Sequence, residues 1–374
     1  MKKILLSFFA LLLIAGCGGA QNREEAVDKE LRRDIAQMLM VGFRGTTLDD
    51  DNHIVRDIRD YGIGGVILFE YDVPSKSRPR NISSREQLRQ LCGELQGLSE
   101  ETLLIGIDQE GGRVTRLKQE YGFPYFASPQ KMAEGGEDSV EYYARLTAET
   151  LEGLGINVDF APCVDVNVNP DCPIIGKLGR SFSSDAEVVR DHAMTWVFEL
   201  QERGVAACLK HFPGHGSSSS DTHLGVADVS DSWQESELFP YSNLIDWGGV
   251  KMIMTTHVFN ARFDSVWPAT LSHATLTGLL RDSLHFNGVI ITDDMAMGAM
   301  TQRYGYEEMI FKAIEAGADM LCLSNNGAEY DADIVPRTVD LIYSMVKDGR
   351  LSRKRIRESA ERVRFLKGGM KADN

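Results

Sequence analysis

The chain has 374 residues, 43% of them hydrophobic, with 55 acidic against 40 basic side chains and a formal charge of −15. That balance argues against a nucleic-acid partner and against electrostatic adhesion to anionic lipid, and leaves neutral ligands open. Length alone suggests two or three domains, although α/β barrels of this size form one.

The first residues place Lys2 and Lys3 before an apolar run from Ile4 to Ala15, the n-region and h-region of an export signal, too short for a mature membrane span. Ile14-Ala15-Gly16-Cys17 looks like a lipobox, in which Cys17 is lipidated and becomes the mature N-terminus; an ordinary cleaved signal is the alternative. The expectation is a bacterial lipoprotein with a signal peptide over 1–16, a polar tether over 17–30 and one domain over 31–370. Gly18 follows Cys17, where an aspartate would resemble an inner-membrane retention mark, so the expected anchor is the outer membrane. Five further cysteines, an odd number with no C-x-x-C, indicate neither a disulfide scaffold nor a zinc ribbon. Cys163 and Cys172 could bridge, whereas Cys92, Cys208 and Cys322 sit in apolar runs and read as core.

Eight short apolar runs follow in order: 38–43, 65–69, 103–107, 158–164, 205–209, 250–254, 288–291 and 320–323. Amphipathic helical pieces separate them, at 85–98, 140–154, 186–203, 275–284 and 306–316, and 333–347 and 352–367 close the chain. Eight strand-then-helix units without a break in composition predict a single (β/α)8 TIM barrel of the α/β class with C-terminal helices.

Chemistry in such a barrel collects where strands end. Those ends carry Asp108, Asp165, Lys210-His211, His257, Asp293-Asp294 and Asn325, while the strand interiors are almost wholly apolar. At the third tip, I-D-Q-E-G-G-R-V-T-R offers an aspartate able to accept hydroxyl hydrogen bonds and two glycines that admit close approach. A structural ion pair of Asp108 with Arg113 or Arg116 is the competing reading. Asp165 braces its neighbours. His257 reads equally as a satisfied core-edge histidine and as a ligand contact. Side chains alternate along a strand, so only one of Asp293 and Asp294 faces the axis squarely.

The richest stretch runs from Lys210 to Gly225, K-H-F-P-G-H-G-S-S-S-S-D-T-H-L-G. Pro213 and Gly214 exclude a helix, leaving a polar loop beyond an apolar strand at 205–209. Asp221 and His223 are two apart, so an extended segment brings carboxylate and imidazole together, fixing the tautomer of a group that titrates near neutrality. Two bland readings compete: a solvated turn, and a metal site, which the proline and glycine between His211 and His215 disfavour. The four serines, 217–220, suggest mobility.

Lys210 to Gly216 followed by Asp221-Thr222-His223 resembles the signature of the glycoside hydrolase family 3 β-N-acetylglucosaminidases throughout. Gly179-Arg180-Ser181-Phe182 and Trp267 to Ser272 also match family segments. The resemblance implies a retaining, exo-acting β-N-acetylhexosaminidase acting on murein fragments or chitin-like saccharides. By the same resemblance Asp293 is the nucleophile and Asp221-His223 the acid/base dyad, with Asp108, Arg116, Arg180, Lys210 and His211 binding the sugar. No metal or cofactor is implied. The expected partner is a small carbohydrate, with membrane contact through the lipid anchor only, no nucleic acid, and a monomeric state. A substrate-assisted hexosaminidase, a phosphorylase and a non-catalytic sugar-binding lipoprotein stay open beside it.

Overall fold

The computed structural model describes residues 25–222 and 225–370. Among them, ten strands appear in order: β1 (Leu39–Gly42), β2 (Gly65–Ile67), β3 (Leu104–Ile107), β4 (Gln109–Gly111), β5 (Val114–Thr115), β6 (Val158–Asp159), β7 (Ala206–Phe212), β8 (Met252–Thr255), β9 (Val289–Ile291) and β10 (Leu321–Leu323). Strands β4 and β5 form a small antiparallel hairpin, and the other eight make one parallel sheet. Met40 of β1 lies opposite both Cys322 of β10 and Gly65 of β2, and a bridge from Ile291 to Met320 closes the ring. The (β/α)8 barrel expected from the sequence is the fold.

Both faces of these strands are buried, which is why they read as unbroken apolar runs. Alternate side chains, among them Met40, Ile67, Leu104, Phe160, Cys208, Met252, Met254 and Met320, fill the barrel interior. Their neighbours, such as Val41, Val66, Ile105, Leu209 and Ile253, pack under the helices. Gly106 makes room for Phe160: a Cβ there would lie 2.9 Å from the phenyl ring. Ser84, Ser128, Asp185 and Ser352 cap the helices Arg85–Gly97, Pro129–Glu134, Ala186–Gln201 and Arg353–Gly368, each side chain accepting a backbone N–H of the first turn.

The last of these helices stops the end of the barrel away from the strand tips, sending Val363 and Leu366 into the interior cluster. A hollow of about 680 Å³ flanks it, lined by Val250, Lys251, Gly288, Arg362 and Phe365, and none of the strand-tip residues reaches it.

Three expectations need correcting. The fourth strand ends at Asp159 instead of 164, because Pro162 has no N–H to give the ladder, although Cys208 N still donates to Ala161 O at 2.9 Å. The fifth extends to Phe212, so Lys210 and His211 belong to β7 and not to the loop after it. Residues 25–37 are helical, where a tether was expected through residue 30. Asp28 accepts from Tyr343 Oη at 2.7 Å and Arg32 pairs with Asp340 at 2.6 Å, docking this helix on Ile334–Lys347. The expected signal peptide and the lipidated Cys17 lie outside the described residues. Among the described ones, no helix is long and apolar enough to cross a membrane.

Candidate active site

Strand β3 ends in Asp108, and the hairpin that follows brings the chain back over it. Gly111 makes the return possible: its φ is +93°, and a Cβ there would strike Ala127 O at 2.0 Å. Gln109 locks the hairpin, its Oε1 accepting from Thr115 Oγ1 at 2.8 Å and from Arg116 N at 3.2 Å. Arg116 is thereby returned to Asp108, donating from Nη2 to Oδ2 at 2.9 Å. The ion pair read as a possibility in the sequence therefore forms with Arg116.

Strand β7 supplies the next two groups. Lys210 and His211, joined by a cis peptide, are both buried. Lys210 Nζ donates to Asp108 Oδ1 at 2.8 Å and lies 2.7 Å from Glu110 Oε1. Glu110 also receives Arg180 in a two-point fork, Nε to Oε2 at 2.8 Å and Nη2 to Oε1 at 2.7 Å. Two carboxylates and three cations thus form one connected network. Burial opposes ionisation of Asp108 and Glu110, but the cations outweigh it and hold both carboxyls below the usual range. Burial likewise opposes charge on Lys210 and Arg180, and the carboxylates more than restore it, raising both.

Asp165 organises a second group from below. Its Oδ2 bonds His211 Nδ1 at 2.7 Å and accepts from Cys163 Sγ at 3.2 Å, while Oδ1 accepts from His215 N at 2.8 Å. Burial resists the charge on Asp165, but His211 outweighs it and keeps the carboxyl low. The other ring nitrogen of His211 lies 3.3 Å from Arg180 Nη2. His215 is pushed down to about 4 by burial and is neutral at pH 7; its Nε2 lies 3.3 Å from Thr222 Oγ1. Cys163 Sγ, Asp165 and His211 Nδ1 are close enough to share a metal ion, within 4.8 Å of one another, and their mutual hydrogen bonds account for that closeness.

These groups surround a cleft of two lobes at the C-terminal tips. One, of about 390 Å³, is lined by Asp108, Arg116, Arg180, Lys210, His211, His215, Asp221, Thr222 and Asp293. The other, of about 290 Å³, adds Phe69, Glu70, Tyr71, Arg78, Met297 and Asn326. Asp108, Arg116, Met254 and Asp293 belong to both. Of the residues singled out in the sequence, seven therefore meet in one cavity: Asp108, Arg116, Arg180, Lys210, His211, Asp221 and Asp293. His223 lies outside the described residues.

The remaining tip residues have other partners. Asp294 is bound by Ser324, from Oγ to Oδ2 at 2.5 Å and from N to Oδ1 at 3.1 Å, and burial raises its pKa. His257 is occupied at both nitrogens, by Thr270 Oγ1 at 2.8 Å and Asp294 O at 3.0 Å, the satisfied core-edge arrangement. Asn325 turns into its own loop, bonding Asp331 at both the amide and the carbonyl, and Asn326 faces the cleft instead. Cys163 and Cys172 are free thiols; the second is directed at His215 O, 3.6 Å away. Ser217 and Ser218, read as part of a mobile run, are buried.

Glu110 was missed by the sequence reading. The signal was present: in an extended segment Glu110 leaves the chain on the same side as Asp108, two residues earlier. Glu70, which pairs with Lys118 at 2.9 Å behind Arg116, had no such signal.

Comparison with known proteins is consistent across sequence and structure. The family described as Glycosyl hydrolase family 3 N terminal domain matches residues 30–366. A beta-hexosaminidase of Tolumonas auensis is 35% identical over 294 residues, covering 78% of this chain and 83% of that protein. Beta-hexosaminidase A of Pseudoalteromonas piscicida is 33% identical over 285 residues, covering 70% of this chain and 46% of that protein. A solved glycoside hydrolase family 3 beta-N-acetylglucosaminidase from Paenibacillus superposes with a TM-score of 0.82 at 33% identity, covering 92% of this chain and 63% of that one. The chain thus spans less than two thirds of these last two relatives, which are longer.

Proposed function

The chain belongs to glycosyl hydrolase family 3, and from that premise we propose that it is a retaining β-N-acetylhexosaminidase. It removes single N-acetylglucosamine units from the non-reducing ends of murein fragments or chitin-like saccharides. One observation carries the reading: Asp293, Asp221 and the network of Asp108, Arg116, Arg180 and Lys210 line a single sugar-sized cavity.

Asp293 attacks the anomeric carbon as the bond to the leaving oxygen breaks, and His223, steadied by Asp221, gives that oxygen its proton. His223 then takes a proton from water, which displaces the glycosyl ester and returns Asp293 as a carboxylate. Two inversions retain the configuration. Asp108, Arg116, Arg180, Lys210 and His211 hold the sugar hydroxyls. Their charges are already fixed by one another, so binding demands little reorganisation. We further take the chain to be exported and lipidated at Cys17, which metabolic labelling with a fatty acid, lost in Cys17→Ala, tests.

Three measurements test the mechanism. Asp293→Ala abolishes release of nitrophenol from its N-acetyl-β-glucosaminide, and a fluorinated glycosyl probe labels Asp293 in the wild type. His223→Ala slows hydrolysis of a natural disaccharide more than that of an activated aryl glycoside. Turnover that required phosphate, or equal losses on both substrates, would remove this reading.

A further inference from the structure

The segment leading to Asp221 is gripped at its root from two sides. On one side, Asn169 N donates to Gly216 O and Asn169 Nδ2 to Ser218 O, both at 3.0 Å. Gly216 is pressed so closely on this strip that a Cβ would lie 1.7 Å from Val166 O. On the other side stands the turn containing Trp233 and Glu237. Trp233 Nε1 donates to Pro213 O at 3.1 Å, and Glu237 Oε2 accepts from Ser217 N at 3.2 Å. Glu237 Oε1 accepts from Gln234 N at 3.2 Å, which fixes the carboxyl within its own turn. Gly214, with φ +122°, lies flat against the Glu237 side chain, where a Cβ would sit 2.7 Å from Glu237 Cβ. Beyond Ser218 the chain emerges, with Ser219 and Ser220 exposed, before Asp221 and Thr222 turn into the cavity.

Glu237 is fully buried, and burial pushes its pKa up to about 7. A carboxyl held at such a site by two backbone N–H groups is unfavourable as packing alone, since an apolar residue would need no partners. What it does that an apolar residue cannot is bind the Ser217 amide, four residues before Asp221.

We infer that Glu237 is a positioning residue for the acid/base segment, holding its root through Ser217 so that Asp221 stays at the cleft. The inference rests on the function proposed above. It follows that Glu237 acts on proton delivery to the leaving oxygen and leaves attack by Asp293 and sugar binding largely untouched. General acid assistance matters for a poor leaving group and hardly at all for a good one.

The experiment compares Glu237→Ala and Glu237→Gln with the wild type on two substrates, chitobiose and a dinitrophenyl N-acetyl-β-glucosaminide. For Glu237→Ala, kcat/KM on chitobiose falls about 30-fold or more, while kcat/KM on the dinitrophenyl substrate, which reports only the first step, falls about threefold or less. Glu237→Gln, whose amide oxygen can still accept from Ser217 N although its NH2 then faces Gln234 N, recovers part of the chitobiose loss. Where Glu237→Ala does not fold, Glu237→Gln and Trp233→Phe, which loosens the other hold on the same root, are read by the same ratio. Equal losses on both substrates, or none on either, overturn the inference while the hydrolase reading stands. A wild type inert towards both substrates overturns the two together.

Discussion

The Glu110 side chain has no exposed surface and neutralises two cations at once. Glu110→Gln removes the negative charge that Arg180 and Lys210 share and leaves them one amide oxygen between them, beside Ile174 O at 3.0 Å from Arg180 and Asp108 Oδ1 at 2.8 Å from Lys210. Breaking a buried pair from one side destabilises by roughly 3–5 kcal/mol, so urea unfolding of this variant shifts by about that amount, together with a raised KM. Two other buried groups contribute to how stability responds to pH. The carboxyl of Glu237, raised to about 7 from an ordinary 4.5, is protonated more readily in the folded chain. Its contribution is therefore present at low pH and is lost as pH rises from 4.5 through 7. His215, lowered to about 4 from 6.5, behaves oppositely: its contribution is full above 6.5 and lost as pH falls towards 4. Each is worth at most about 3 kcal/mol by linkage, and the windows overlap with opposite sign. The melting temperature of Glu237→Gln, relative to wild type, accordingly climbs by a few degrees between pH 4.5 and 7 and levels off above. A difference flat across that range would contradict the buried-carboxyl account.

At the scale of elements, the segment after β7 depends on glycines that nothing larger can replace. Gly216→Ala drives a methyl into the Val166 carbonyl, backbone against backbone, so the segment has to move. Activity falls by about two orders of magnitude, the scale of misplaced catalytic groups, while far-ultraviolet circular dichroism and the melting temperature change little. The elements themselves were largely legible in the sequence. Helices such as Arg85–Gly97 and Tyr306–Ala316 lie within a residue of their expected bounds, because the amphipathic period and the polar caps agree. Six of the eight barrel strands, β1, β2, β3, β8, β9 and β10, fall on the expected runs with ends moved by two residues or fewer, since burial on both faces leaves a plain apolar signal. The hairpin β4–β5 was invisible: Gln109-Glu110-Gly111 has no apolar alternation, and its pairing is driven by the side-chain amide of Gln109 and by charges arriving from Arg180, far along the chain. Glu237, within the sequence Q-E-S-E, reads as solvated, and only the tertiary packing of Gly214 against it removes it from water.

For the whole molecule, the barrel is asymmetric along its axis, charged and open at the tips, apolar and stoppered at the other end. The stopper is the helix Arg353–Gly368, and its two faces make a controlled comparison. Leu366 reaches the interior cluster, so Leu366→Ala costs about 2–5 kcal/mol on thermal or chemical unfolding. Phe365, one residue earlier and 86% exposed, loses nothing comparable, and Phe365→Ser stays within about 0.5 kcal/mol of wild type. The column of methionines inside the barrel carries a further consequence. Met40, Met252, Met254 and Met320 place thioethers along the axis, and of these four Met254 lines both lobes of the cleft. Peroxide converts a thioether to a polar sulfoxide, which would add an oxygen to the floor of the cleft proposed to hold the sugar. Inactivation by peroxide should then follow oxidation of Met254 in mass spectra, be undone by methionine sulfoxide reductase, and be absent in Met254→Leu but kept in Met297→Leu, whose sulfur lines one lobe only.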